Sequence, residues 1–257
     1  MNKTFNVKRF GRLFIKHTTE HYKSYGMSLF VLIGVMLLGG SFLVYMVGAR
    51  LDIGDQTAMF TMILFLAGTI FTSTIFADLG DKKKAIPWLL LPASHFEKFL
   101  VAWIYSFVVF IIIYTLSFYM IDSLVLSIKP LEGQPSEMIN IYRSHAWQVY
   151  LVYAFLHGAA IYGAIYFEKL HFIKSAFVFF ISFGILVLLN KILLGAMVKR
   201  GVEVAPPFGN LRFFENGQVN DIRLSYKQQG INMNYLVMVL AVIFWVAAYF
   251  RLKEKQV

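Results

Sequence analysis

The stretch MSLFVLIGVMLLGGSFLVYMV, residues 27–47, contains no charged side chain and is long enough to cross a lipid bilayer as one helix. A single crossing needs about 20 predominantly apolar residues. Comparable apolar stretches follow at approximately 57–77, 99–121, 147–167, 174–190 and 235–250. The sequence therefore predicts an all-α integral membrane protein with six transmembrane helices.

The amino-acid composition excludes a soluble globular domain. Hydrophobic residues make up 58% of the 257 residues and charged residues only 15%, whereas soluble domains contain roughly 45–50% and about 25%. Cysteine is absent, which excludes disulfides and cysteine-ligated metals. The formal net charge of +10 comes largely from basic residues beside the apolar stretches. We attribute this charge to membrane topology and expect no nucleic-acid partner.

The distribution of Lys and Arg predicts how the chain is oriented. Six crossings place both termini on one side of the membrane, and 15 of the 24 Lys and Arg residues flank the spans on that side. The other nine occupy longer loops on the opposite side. Because positively charged flanks remain in the cytoplasm, we expect a multi-pass protein of the bacterial inner (cytoplasmic) membrane with both termini cytoplasmic.

Residues 1–26 precede the transmembrane domain, residues 27–257, and their pattern from 5 to 25 is that of an amphipathic helix. Apolar side chains group on one side, and Lys8, Arg9, Arg12 and Lys16 populate another. Such an interfacial helix is predicted to lie along the lipids of the anionic cytoplasmic leaflet. The alternative is an ordinary solvated tail.

Residues 78–98 connect spans two and three and contain two informative features. Ser94 and Glu97 have the spacing of a capping box, in which each side chain binds the other's backbone N–H, so span three is predicted to start near His95. Upstream, residues 86–91 form an apolar segment that is too short to cross the bilayer. That segment needs a covering surface, which is the headgroup layer, its own helix bundle or a cytoplasmic partner protein.

Residues 191–234 are predicted to form the largest external loop. Residues 191–198 continue the apolar character of span five and predict a short re-entrant or interfacial helix, which Pro206 and Pro207 would end. Asn216-Gly217 is a hairpin signal, since both residue types tolerate positive φ. We expect a small external cap with a two-stranded element between spans five and six.

Few polar groups occur within the predicted spans. The first three spans contain no ionisable residue, which argues against proton-coupled transport and intramembrane hydrolysis. His157 in span four is predicted to hydrogen-bond a neighbouring helix rather than to relay protons. Gly158 and Gly163 in the same span predict close helix packing. The hydroxyls of span two have two interpretations: they bond back to carbonyls of their own helix, which is favoured, or they line a polar pathway. The candidate pathway residues are Thr69, Thr72 and Ser73 of span two and Asn190 at the end of span five.

Two sequence signatures bear on whether the chain is an enzyme. His17-Thr-Thr-Glu20-His21 matches the inverted zinc-peptidase pattern H-x-x-E-H, but such a site needs a third ligand and a shaped cleft. We therefore predict no metal site and interpret these residues as a polar helix face. The phosphate-binding pattern G-x-x-x-x-G-K-[ST] is absent. Any ATP energy must come from another polypeptide, so the chain is predicted not to be an enzyme.

The stretch KAIPWLLLPASHFEKF, residues 84–99, resembles the Leu-Leu-x-Pro-x-Ser … Lys stretch after span two in membrane subunits of ABC-2-type (ABCG-like) ABC transporters. The overall layout also resembles that family, which has an amphipathic connecting helix, six spans with cytoplasmic termini and short re-entrant helices between spans five and six. The resemblance implies a permease subunit, more often an exporter, which dimerises with a second copy or a related permease. It also implies a separate ABC ATP-binding subunit that holds ATP and Mg, with no cofactor on this chain.

The resemblance further implies roles for individual residues. Spans two and five would line the pathway between two permease subunits. The ATPase-coupling residues would be Asp81, Lys82, Lys83, Lys84, Ile86, Trp88, Leu89 and Leu90. The competing hypothesis is a non-transporting structural membrane subunit of an envelope secretion or motility assembly. An ATPase gene beside this one would favour transport, and envelope-assembly genes without an ATPase would favour the structural role.

Overall fold

The computed structural model describes residues 5–47, 51–80, 93–128, 138–141, 147–167, 169–198, 201–203, 211–215, 218–222 and 226–254. Within them, six helices are long and apolar enough to span a membrane. This confirms the predicted all-α membrane protein. The six helices are α1 (Val7–Val47), α2 (Ile53–Gly80), α3 (His95–Ser127), α4 (Trp147–Tyr166), α5 (His171–Val198) and α6 (Tyr226–Glu254).

Contacts between α1, α2 and α3 show that these helices alternate in direction. Arg9 binds Glu97 near the start of both α1 and α3, and Gly40 packs against Val125 near the end of both, so α1 and α3 run parallel. Helix α2 runs the opposite way. Its Phe60 contacts Tyr114 of α3, and its later Phe76 contacts Phe99 near the start of α3.

The second half of the bundle follows the same alternation. His157 and Tyr166 of α4 contact Trp245 and Arg251 of α6 in the same order along the chain, so α4 and α6 run parallel. Helix α5 runs antiparallel to α4, since Ser175 lies against Gly163 and the later Phe179 lies against Phe155.

Phe5 and the end of α6 lie at one end of the bundle, which we call the terminal end. The ring of Phe96, at the start of α3, contacts Phe5 before α1 and Tyr249 near the end of α6, with ring centroids 6.2 and 6.1 Å away. Two apolar cores fill the bundle. The larger core is centred on Phe60, Tyr114 and Phe118, and the smaller lies near the terminal end around Phe76 and Phe99.

Two predicted helix boundaries are wrong. Residues 7–26 and span one form the single 41-residue helix α1, which is about 60 Å long, roughly twice the hydrocarbon core of a bilayer. Residues 191–198 likewise continue α5 to Val198 instead of forming a separate re-entrant helix. In both places the change in hydropathy marks no break in the helix.

A small antiparallel sheet lies between α5 and α6 in the sequence. Strands β1 (Gly201–Val202), β2 (Leu211–Glu215) and β3 (Gln218–Ile222) are arranged in chain order. Glu215 pairs with Gln218 across the predicted Asn216-Gly217 hairpin. The third strand, β1, was not predicted from the sequence.

Helix α3 changes its winding in the middle. Residues Ile104–Val109 are π-helical, between α-helical segments His95–Trp103 and Phe110–Ser127. Short π-helical segments often occur at functional sites because the extra residue per turn reorients side chains and backbone carbonyls. Here the segment contains Tyr105 and Ser106, which contact α1 and α4 respectively.

Candidate functional site

A fully buried carboxylate, that of Glu97, joins the first helix of the chain to the start of the third. The Arg9 guanidinium donates from Nε to Oε2 and from Nη2 to Oε1, each at 2.7 Å. The backbone N–H groups of Asn6 and Ser94 donate to the two oxygens at 2.8 Å. Four charge-assisted hydrogen bonds therefore satisfy one carboxylate, and the paired donation from Arg9 fixes its orientation.

The same four residues also cap two helices. Ser94 Oγ accepts from the backbone N–H of Glu97 at 3.2 Å, which completes the predicted capping box at the start of α3. Asn6 Oδ1 accepts from the backbone N–H groups of Lys8 and Arg9 at the start of α1. The carboxylate thus lies beside two helix N-termini, where negative charge is favoured. We call Asn6, Arg9, Ser94 and Glu97 the Glu97 clamp.

An aromatic seam extends this junction along α1. The Phe14 ring stacks on Tyr105 with centroids 4.8 Å apart, and Tyr25 stacks on Tyr105 at 5.6 Å and contacts Phe71 at 5.5 Å. The Thr18 hydroxyl hydrogen-bonds the Tyr105 hydroxyl. Phe14 and Tyr25 of the predicted apolar face therefore pack against α3 and α2. Ile15 and Tyr22 of the same face remain exposed, so the bundle covers only part of the surface that was predicted to lie on lipid.

The residues of the H-x-x-E-H pattern are engaged in other contacts. A ring nitrogen of His17 hydrogen-bonds Tyr25 Oη at 2.6 Å, and His21 Nδ1 lies 3.1 Å from the His17 carbonyl. Glu20 lies 3.6 Å from Lys16 Nζ and is 54% exposed. Among the described residues, no group of three His, Asp or Glu side chains is placed to hold a metal ion.

A second polar cluster, the His157 network, lies in the interior of the bundle. Trp245 Nε1 of α6 donates to His157 Nδ1 at 3.0 Å, and the other ring nitrogen lies 2.9 Å from Ser106 Oγ. Indole N–H is only a donor, so Nδ1 accepts and Nε2 carries the proton toward Ser106. This arrangement requires a neutral imidazole and confirms the interpretation of His157 as a hydrogen-bonded packing residue.

The network continues through the π-helical segment to α2. Ser106 Oγ donates to the Trp103 carbonyl at 3.3 Å, and the Tyr153 hydroxyl donates to the Ser106 carbonyl at 3.2 Å. The side chain of Thr72 is within hydrogen-bonding reach of Tyr153. Four helices, α2, α3, α4 and α6, thus meet at one polar layer, and the π-helical winding places Ser106 where α4 can reach it.

The hydroxyls of α2 that were candidates for a pathway bond mainly to their own helix. Thr69 Oγ1 donates to the Phe65 carbonyl at 2.6 Å, and Thr72 Oγ1 donates to the Gly68 carbonyl at 2.7 Å. Thr72 and Ser73 are buried within the single chain. The favoured alternative, hydroxyls satisfied by their own helix, is thus confirmed for both threonines. Asn190 lies half-buried in α5, and α5 has no buried residue.

Two further sequence predictions have different outcomes. The proposed ATPase-coupling residues, Asp81 to Lys84 and Ile86 to Leu90, lie outside the described residues. The prediction that span three lacks an ionisable residue is wrong, because α3 continues to Ser127 and includes Asp122, which is fully buried. Asp122 directly follows the apolar run 99–121, so the sequence predicted it to lie in the following outer loop.

Close packing of α2 against α4 leads to a first prediction. A Cβ atom on Gly68 would lie 2.3 Å from Cε2 of the fully buried Tyr153. Gly68→Ala is expected to lower the free energy of unfolding by about 1–3 kcal/mol, because a filled site must be forced open. Denaturant unfolding in detergent measures the change. Gly184→Ala is the matched control, since nothing lies within 4 Å of a Cβ there, and an equal loss in both variants would contradict the packing explanation.

No protein-family model, curated protein or solved structure matches this chain.

Proposed function

We propose that this chain is the membrane-spanning permease subunit of an ATP-driven ABC-2-type exporter, powered by a separate ATP-binding subunit. The observation that carries the proposal is the Glu97 clamp. It fastens the N-terminal helix to the start of α3, which follows residues 81–91, the element that the ABC-2 resemblance assigns to ATPase contact.

The clamp supports coupling because it makes two helix starts move together. One carboxylate, that of Glu97 at the start of α3, accepts hydrogen bonds from Asn6 and Arg9 at the start of α1 and from Ser94. The aromatic seam from Phe14 to Tyr25 continues the contact toward the interior. A partner that displaces the connection before Ser94 would therefore displace α1 and α3 as one unit. The terminal end, where the clamp lies, would face the cytoplasm under the positive-inside rule.

The exposed fifth helix supports association with a second permease, either another copy or a related subunit. Helix α5 has 28 residues and none of them is buried, although α2 and α4 in the same bundle are well covered. Under the proposal, α5 and the α2 face that carries Thr69 meet the second subunit. Thr69 and Asn190, which are half-buried, stay candidates for the pathway, whereas the burial of Thr72 and Ser73 within the single chain argues against a place for them at that interface.

The coupling proposal predicts that Trp88→Ala and Leu90→Asp weaken association with the separate ATP-binding subunit. Each removes apolar surface from a segment too short to span the bilayer, so we expect at least a tenfold loss of affinity with normal membrane insertion. Co-purification and ATP turnover of the pair are the measurements. Phe250→Ala is the control, because this exposed ring lies on α6, and its complex should be unchanged.

Two results would contradict parts of the proposal. If both coupling variants co-purify at the wild-type yield and keep the wild-type ATP turnover, residues 81–91 do not form the ATPase contact. If the unaltered chain associates with no ATP-binding protein, the permease function itself fails, and the structural subunit of an envelope assembly becomes the better interpretation.

A further inference from the structure

The N-terminal half of α1 carries a charged face directed away from the bundle. Its members recur at helical spacing and all are exposed; they are Lys8, Arg12, Lys16, Glu20 and Lys23. Lys16 and Glu20 form an ion pair at 3.6 Å with both side chains about half exposed. Four basic groups and one acid leave a net charge of +3, and we call this surface the cationic face of α1.

Side-chain contacts fix the depth of this face in the bundle. Thr18, between Lys16 and Glu20, bonds Tyr105 of α3, and the next residue, Ser106, bonds His157 of α4. His157 is near the middle of α4, which has 20 residues, the typical length for a bilayer crossing. The Lys16–Glu20 pair is therefore level with the middle of span four, and Lys23 lies five residues beyond Thr18, about 7.5 Å farther from the terminal end.

The exposed surface of α5 is apolar beyond Lys174, at a depth nearer the terminal end. Ser175 lies against Gly163 of α4, and the side chain of Phe177, about 3 Å deeper, is 64% exposed. Tyr25 is level with Phe71 and Phe110, and Phe110 contacts Tyr153 of α4, which is about 15 Å along the helix from Gly163. Lys23 lies about 3 Å nearer the terminal end than Tyr25. Charge thus persists on α1 about 9 Å deeper than the apolar surface begins on α5.

Lipid is a poor cover for the cationic face at that depth. Ionised side chains in the hydrocarbon region are strongly disfavoured and normally face protein interior or a water-filled cavity. A symmetric pairing of two such faces would bring like charges together, because a two-fold interface uses the same patch on both copies. Water and anions are the surroundings that match a net charge of +3.

We propose that the cationic face of α1 lines a water-filled vestibule, open at the terminal end and reaching the level of His157, which binds an anionic ligand. Assigning that anion as the transported substrate rests on the permease function proposed above, whereas the vestibule and its preference for anions do not. The ligand class is a water-soluble solute that carries carboxylate, phosphate or sulfonate charge, since lipid is a poor cover at this depth.

Cysteine labelling tests the vestibule, because the natural chain contains no cysteine. Thr19→Cys places a thiol on the exposed face between Lys16 and Lys23. The probes are two thiol reagents of opposite charge, methanethiosulfonate ethylsulfonate and methanethiosulfonate ethyltrimethylammonium, applied to native membrane discs with both faces accessible. We expect both to react, and the ratio of anionic to cationic rates to fall at least about threefold when Lys16→Gln and Lys23→Gln are added.

Phe177→Cys on α5 is the control for depth, and we expect it to stay unreactive with both reagents in the membrane. The vestibule is contradicted if Thr19→Cys reacts only after detergent unfolding, or if Phe177→Cys reacts equally fast. Anion binding is contradicted if the rate ratio does not change with the lysine substitutions. Labelling needs neither ATP nor the ATPase, so it fails or succeeds independently of the permease proposal.

Discussion

Glu97→Ala is expected to lower the free energy of unfolding by about 3 kcal/mol, the largest effect of a single truncation at the terminal end. Removing one partner of a buried ion pair typically costs about 3–5 kcal/mol, and the partial exposure of Arg9, 27%, reduces that cost. Loss of the cap contribution to α3 adds to it. Denaturant unfolding in detergent, followed by helical circular dichroism, gives the measurement.

Glu20→Ala provides the matched control for Glu97→Ala. Glu20 also pairs with a basic residue of α1, at 3.6 Å, but its side chain is 54% exposed. Exposed pairs contribute about 0.2–1 kcal/mol, so this variant should remain close to the natural chain. Equal destabilisation of the two variants would show that the buried geometry of the Glu97 clamp has no special importance.

Only the capping-box part of the Glu97 clamp could be predicted from the sequence. The three-residue spacing of Ser94 and Glu97 predicts the capping box, because that interaction is local. The bond from Arg9 joins residues 88 positions apart, and nothing in the sequence distinguishes Arg9 from its neighbours Lys8 and Arg12. All three are basic residues in an amphipathic pattern, and only the tertiary fold selects the one that meets Glu97.

The wrong boundaries of α1 and α5 have a common physical cause. Hydropathy reports which residues suit lipid, and it does not report where backbone hydrogen bonding stops. Helix α1 passes through Gly26 without a break, since one glycine costs only about 1 kcal/mol in a helix interior. Residues 191–198 contain no proline, and they extend α5. The change from polar to apolar character at residue 27 therefore does not mark a helix end.

The polar layer around His157 could likewise be predicted only in part from the sequence. A lone histidine without a carboxylate in the same apolar span favours a hydrogen-bonded packing role, and the structure confirms that role. Its partners Ser106 and Trp245 lie on two other helices, so the sequence could not identify them. The π-helical segment at Ile104–Val109 also has no recognisable local signal, because it depends on the contacts that α3 makes with α1 and α4.

His157→Leu is expected to lower the free energy of unfolding by about 2–4 kcal/mol. Leucine retains much of the buried volume, so the main loss is two hydrogen bonds in a fully buried position. The Trp245 indole N–H loses its acceptor and Ser106 loses its donor, and an unsatisfied buried polar group costs about 1–3 kcal/mol. Denaturant unfolding in detergent measures the loss, and indole fluorescence reports separately whether the Trp245 hydrogen bond is broken.

Trp245→Phe separates the two bonds of the His157 network, because it removes the indole N–H and leaves the imidazole bonded to Ser106. We expect a loss of about half that of His157→Leu, and the double variant should be less destabilised than the sum of the single variants, since coupled neighbours are not additive. Additive losses would mean that the two side chains contribute only through packing. A His157→Leu variant as stable as the natural chain would mean that the four helices are held at this layer by their apolar contacts alone.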